Sequence, residues 1–186
     1  VGTQGLGFVS EDHHGIYPID SCEIVNEVLR PLLPRLAAAP LKGIKRIALR
    51  GSTRTGERMV IVEGAGAERL LPYLPEDCSL VARDEKGKVR ALRGKLTFRE
   101  IAAGREWHIH ANAFFQVNTV QAETLLATVR HFLGELYGNE VVWDGYAGAG
   151  FFGLSLAAEV GQVWLIESHS AAVESARFHA GAMPNV

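Results

Sequence analysis

The residues best placed to do chemistry lie in "VVWDGYAGAGFFGLSLA", residues 141–157. Within it, Gly148, Gly150 and Gly153 reproduce the spacing G-x-G-x-x-G. Glycines at that spacing let a backbone approach a ligand closely, and a following helix start offers unpaired N–H groups. Glu167 stands 19 positions after Gly148, at the end of the apolar run "VWLI". An acid about 20 positions on can accept hydrogen bonds from both ribose hydroxyls of an adenosine cofactor. Glycines that merely form a tight turn are the bland alternative. The apolar run before the loop, the helical pattern after it and the acid on the next run favour a cofactor.

These features alone do not separate a nicotinamide dinucleotide from S-adenosylmethionine. Two others do. A helical pattern over 119–138 precedes the first strand, as is common in methyltransferase domains, whereas dinucleotide domains usually begin at the strand. Asp144 and Tyr146 stand at the loop entry. A carboxylate pairs with the ammonium of S-adenosylmethionine but is repelled by a pyrophosphate. An aromatic face suits a sulfonium or an adenine.

These residues need elements to hold them. The pattern predicts short strands at 7–9 and 15–18, then a helix opening at Ser21 with Ile24, Val25, Val28 and Leu29 on one face, broken or kinked at Pro31 and Pro34. "IKRIALRG" and "ERMVIVEG" read as strands joined by the hairpin "STRTG". "AERLLPYLP" reads as a short helix, and residues 78–100 as strands about the turn 84–87. The stretch after Glu106 reads as a last strand. From Thr119 the period becomes helical, with Val120, Leu125, Val129, Phe132, Leu133 and Leu136 on one face and Gly138 as C-cap. Val141–Trp143 and "QVWLI" read as buried strands. Residues 170–184 read as a helix with a serine cap. The expected fold class is α/β. A mixed α+β domain over 1–112 is followed by the first part of a Rossmann-like domain over 113–186, carrying the cofactor loop and first two strands.

At this point the motifs resemble those of the RNA 5-methyluridine methyltransferases. "DGYAGAGFFGLSLA" is similar to that family's D-[LY]-[YF]-C-G-x-G-x-F-[GT]-L-x-L-A, "FFQVN" to its F-x-Q-V-N, and "VWLIESHSAAVESARFHA" to its V-x-G-v-E segment and the helix after it. "GIYPIDSCEIVNEVLRPLLPRL" fits its D-x-C-x-[IL] stretch. The resemblance covers nearly the whole chain. It implies an S-adenosylmethionine-dependent uracil-5-methyltransferase acting on ribosomal or transfer RNA. Gln116 is implied to contact the methionine or ribose part, Tyr146 to pack near the cofactor, Gly148 and Gly150 to floor the loop, and Glu167 to bind the ribose. Ala147 and Phe151 depart from the pattern by replacing polar residues, and His179-Ala180 loosens the "N-A" after the second helix.

The resemblance also implies that the nucleophilic cysteine, a cofactor-binding aspartate and a basic glutamate lie downstream. No catalytic residue is therefore expected within this chain, which is read as a partial enzyme. Cys22 falls where iron–sulfur members keep a cluster ligand, but a cluster needs four and the chain has only Cys22 and Cys78. A non-catalytic RNA- or cofactor-binding module is the second reading, and a dinucleotide-binding oxidoreductase fragment a distant third.

Composition narrows the field further. The 186 residues carry a net charge of -2, which gives no global attraction to RNA or an anionic membrane. Residues 83–105 are the exception. Arg83, Lys86, Lys88, Arg90, Arg93, Lys95, Arg99 and Arg105 face only Asp84, Glu85 and Glu100 there. That run is either a solvated face or a platform for RNA phosphates. Two cysteines suggest a reducing compartment, and no signal peptide or spanning run is recognisable, so a cytoplasmic location is expected. A start at Val1 without Met reads as a boundary or a processing site. His13 and His14 read as polar loop, and His108 and His110 as one face of a strand; no metal is expected. Two parallel strands with an open edge predict self-association.

Overall fold

The computed structural model describes residues 5–11 and 14–186. Element order is β1 (Gly7–Val9), β2 (Ile16–Pro18), α1 (Leu32–Ala37), β3 (Ile44–Gly51), β4 (Arg58–Gly64), β5 (Ser79–Arg83), β6 (Val89–Arg93), β7 (Thr97–Ala102), β8 (Arg105–His110), α2 (Thr119–Leu133), β9 (Val141–Gly145), α3 (Phe151–Leu156), β10 (Gln162–Ile166) and α4 (Ser170–Ala180). A 3-10 helix, Ala67–Tyr73, joins β4 to β5. The chain divides into two compact units, residues 1–98 and 99–186.

The first unit is built on the sheet β3-β4-β5-β6, with β4 and β5 parallel and the other neighbours antiparallel. β3 and β4 form the expected hairpin, closed by the Ser52 amide on Glu57 O and the Gly56 amide on Ser52 O. One sheet face buries Ile44, Val60, Val62 and Leu80 against Leu32, Leu36 and Leu70. The expected helix from Ser21 does not form. Residues 21–31 are turns and irregular chain, Ile24 is 95% exposed, and the helix begins only after Pro31. The fixed φ of proline suits a helix start, so Pro31 opens α1 where a break was expected.

In the second unit, β8 packs on α4, and β9 pairs in parallel with β10 in the register Val142↔Val163, Trp143↔Trp164, Asp144↔Leu165. α2 starts at an Asn118 cap, whose side chain accepts the Gln121 amide, and ends at Gly134 (φ 73), not at Gly138. Its buried residues are Ala122 and Leu126, whereas Val120, Leu125, Phe132 and Leu133 are exposed. The apolar stripe read from the sequence is thus not the packed face. Nor are the two strands buried on both faces: Val141, Trp143, Trp164 and Ile166 are at least half exposed.

α4 begins at Ser170 without a serine cap. The Glu167 carboxylate instead takes the amides of Ser168 and His169.

Candidate functional site

β9 delivers Asp144 to the face that packs on α3, where its Oδ2 accepts the Gly153 amide at 2.8 Å. Burial pushes the Asp144 carboxyl above its ordinary range, opposed by that hydrogen bond. Oδ1 is what it can offer a ligand. Gly153 is required by the same contact: a Cβ there would lie 2.6 Å from a Leu165 methyl and 3.0 Å from Asp144 Oδ2. This is the glycine of close helix–strand packing that the motif calls for.

The chain then turns sharply. Tyr146 has φ 60, rare for a side-chain-bearing residue, and is 97% exposed. Backbone held in such a region costs about 1–3 kcal/mol and clusters at ligand sites. Gly148 (φ 58) and Gly150 (φ 87) complete the turn, with the Gly150 amide bonded to Ala147 O at 2.8 Å. Among the described residues the only atom near a notional Cβ on Gly148 is the Phe114 carbonyl oxygen, at 3.9 Å, so the loop floor is open. Phe151 leaves it clear by packing beneath, on Trp107 (5.4 Å between centroids) and Phe115 (5.7 Å).

Glu167 closes the loop from β10. Its Oε2 accepts the Gly148 amide at 2.9 Å, and its Oε1 accepts the amides of Ser168 (2.7 Å) and His169 (2.8 Å). These N–H groups, His169 and Gly148 foremost, hold the carboxyl below its usual range, so it is a firm anion at neutral pH. A carboxylate oxygen has about two acceptor sites. Oε1 is filled and Oε2 keeps one. The sequence predicted an acid reaching both hydroxyls; here Oε1 is taken up by the Ser168 and His169 amides, and Oε2, which accepts the Gly148 amide, retains one acceptor site.

Asp144, Tyr146, Gly148, Gly150 and Glu167 therefore come together. Gln116 is half-buried and makes no described bond of its own. The supports that sequence reasoning missed are Trp107 and Phe115, on whose rings Phe151 packs. The signal available for Phe115 was its place in "FFQVN".

The remaining candidates resolve differently. The His108 amide is 2.8 Å from His179 Nε2, and the His110 amide donates to Ser175 Oγ at 3.0 Å, so this strand docks α4. His14 is exposed and His13 lies outside the described residues. Among the described residues no group of metal-ligating side chains forms. The 83–105 run is not one free cationic face. Arg83 pairs with Glu63, Arg90 with Glu68 and Arg99 with Glu106. Arg93 donates to the carbonyls of Cys78, Leu71 and Pro75, and Arg105 to that of His179. Lys86, Lys88 and Lys95 are exposed. Among the described residues no helix is long and apolar enough to cross a membrane.

No protein-family model matches the chain. It is 29% identical to an uncharacterized RNA methyltransferase of Thermosynechococcus vestitus over 94% of this chain and 45% of that protein. An uncharacterized RNA methyltransferase of Streptomyces avermitilis is 31% identical over 93% of this chain and 40% of its own length. This chain is thus similar to proteins named RNA methyltransferases. It spans about half the length of the relatives it matches. The crystal structure of Pyrococcus abyssi tRNA (uracil-54, C5)-methyltransferase in complex with S-adenosyl-L-homocysteine superposes with a TM-score of 0.77 at 25% identity. The match covers 96% of this chain and 50% of that one. The fold is thus α/β of the Rossmann-like methyltransferase type.

Proposed function

We propose that this chain supplies the cofactor half of an S-adenosylmethionine-dependent RNA (uracil-5-)-methyltransferase. One observation carries the reading: an ionised Glu167 with a spare Oε2 lone pair, 2.9 Å from the Gly148 amide, beside an open loop floor. That arrangement suits a neutral ribose hydroxyl. Asp144 at the loop entry, the carboxylate that is not part of the dinucleotide fingerprint, disfavours a pyrophosphate. The Pyrococcus abyssi structure, which holds S-adenosyl-L-homocysteine, supports the same choice.

In this reading one ribose hydroxyl donates to Glu167 Oε2, and the strained, exposed Tyr146 covers the adenosine or sulfonium. Asp144 Oδ1 attracts the ammonium, and Gln116 meets the methionine or ribose portion. S-adenosylmethionine supplies an electrophilic methyl group. The chain's own residues orient it, and the loop amides and carboxylates fix its sugar and amino acid ends. The nucleophile that activates uracil belongs to no residue of this chain. The substrate is an RNA uridine, in ribosomal or transfer RNA, and phosphate contacts fall to exposed lysines such as Lys86 and Lys88. The site of action is the cytoplasm.

The test is a ligand comparison by thermal shift. S-adenosylhomocysteine should raise the melting temperature in a saturable way, and NAD should not. Stabilisation by NAD with none by S-adenosylhomocysteine would return the loop to the dinucleotide enzymes.

A further inference from the structure

The first unit carries a cleft of about 260 Å³ where the parallel strands β4 and β5 begin. Its lining runs from Glu57 to Phe98, wholly within residues 1–98. Three connections build it. The β3–β4 hairpin delivers Glu57 and Arg58, the stretch entering β5 delivers Glu76 and Asp77, and the turn from β6 to β7 delivers Lys95. Met59 and Phe98, both buried, are its apolar lining, and Ser79 and Thr97 add hydroxyls. The turn lies tight on β5. A Cβ on Gly94 (φ 75) would meet Ser79 Oγ at 2.3 Å, and the Lys95 amide donates to that oxygen at 3.3 Å.

Arg58 sets the chemistry of the cleft. Its Nη2 donates to both Asp77 carboxylate oxygens, at 2.7 and 2.5 Å. Its Nε is buried and has no hydrogen-bond partner among the described residues. A buried donor left unpaired is costly, so it marks a place for an acceptor. Lys95 adds an exposed ammonium, and Glu57 and Glu76 add carboxylates. Three carboxylates, with Asp77, against two cations disfavour a bare anion. Guanine fits this mixture of groups. Its N1–H and N2–H form a donor pair for a carboxylate, and its O6 and N7 form an acceptor pair for Arg or Lys. Adenine and cytosine each bring a single amino donor. Uracil brings one N–H between two carbonyls, which carboxylates repel. We propose that this cleft recognises an unpaired guanine of the RNA, outside the uridine to be methylated. A carboxylate takes the N1–H/N2–H edge, and Arg58 with Lys95 takes O6 and N7. Unstacked bases are the common target of sequence-specific RNA recognition, because their edges are exposed. The proposal rests on the RNA reading above and is independent of the cofactor loop.

The test uses the chain with two kinds of probe. Guanosine monophosphate, uridine monophosphate and inorganic phosphate are titrated while the backbone amides of Ser79, Lys95 and Thr97 are followed by NMR. A labelled RNA heptamer UUUGUUU is compared with UUUUUUU by fluorescence anisotropy. The guanine nucleotide should shift these amides saturably, and the other two should not. The heptamer with guanine should bind at least about fivefold more tightly than the one without. Glu76→Gln and Lys95→Met change exposed side chains and should keep the circular dichroism of the chain. Each should reduce the guanine preference toward parity. Equal shifts by the two nucleotides, the same shifts by phosphate, or equal binding of the two heptamers overturns the proposal. So does a guanine preference that survives in both variants. Shifts by the guanine nucleotide with no binding of either heptamer would make a free nucleotide the ligand and overturn the assignment to RNA. Stabilisation by S-adenosylhomocysteine reads a different loop, so the cofactor reading and this proposal can fail separately.

Discussion

Glycine positions in the loop differ sharply in what they tolerate. At Gly153 an added methyl meets Leu165 and Asp144 at 2.6–3.0 Å, while at Gly145 it meets nothing within 4 Å. Gly153→Ala should therefore lose about 1–3 kcal/mol in urea unfolding, the ordinary cost of overpacking, and Gly145→Ala should lie within about 0.5 kcal/mol of the parent. Equal effects at the two sites would show that the α3–β9 contact is misplaced. These glycines were legible in the sequence because a tight loop leaves few residue choices. The split use of Glu167 was not legible. Spacing locates an acid but does not reveal which of its lone pairs the local amides take. His179 was likewise read only as a departure from a motif. Burial depresses its pKa to about 4, although the His108 backbone partly opposes this. The folded state thus holds a neutral imidazole, and the unfolded chain binds the extra proton between the two pKa values. Its contribution is complete above roughly pH 6.5 and is lost as pH falls toward about 4. Urea unfolding should show wild type losing about 2 kcal/mol more than His179→Gln between roughly pH 7.5 and 5. Parallel pH profiles would remove His179 from the account.

At the scale of elements, periodicity located the strands of the first unit and their hairpin well. Alternation there is enforced by one buried face, with Val60, Val62 and Leu80 on it. Periodicity failed where tertiary packing decides. Ile24, Val25, Val28 and Leu29 have helical spacing, yet the helix forms only from Leu32, and the buried leucines here are Leu29, Leu32, Leu33 and Leu36. Leu36→Ala should cost about 2–5 kcal/mol, whereas Ile24→Ala should leave the urea midpoint unmoved. A reversed order would restore the longer helix. The stripe on α2 misled for the same reason: Ala122 and Leu126 are packed while Phe132 is 82% exposed. Hydrophobicity says which side chains gain from burial, not which of them find a neighbour. The domain boundary expected at 112/113 followed the change of period. Compactness groups β8 with the later elements, because the amides of His108 and His110 bond to His179 and Ser175 on α4.

At the scale of the molecule, the sequence motifs and the fold point the same way through different physics. The motifs mark a tight glycine loop and an acid, and the sheet places the loop after the end of β9 and the acid after the end of β10. The charge run 83–105 shows the converse. Counting charges left a solvated face and a platform for phosphates both open, and it could not show that five of its arginines are occupied within the fold. The central claim is that Glu167 grips the sugar of a methyl donor laid over Gly148. Isothermal calorimetry of S-adenosylhomocysteine against the chain and its Glu167→Ala variant tests it most directly. Binding to the parent should weaken by at least about tenfold in the variant, the loss of one charge-assisted hydrogen bond. Equal affinity for the two proteins would contradict the account.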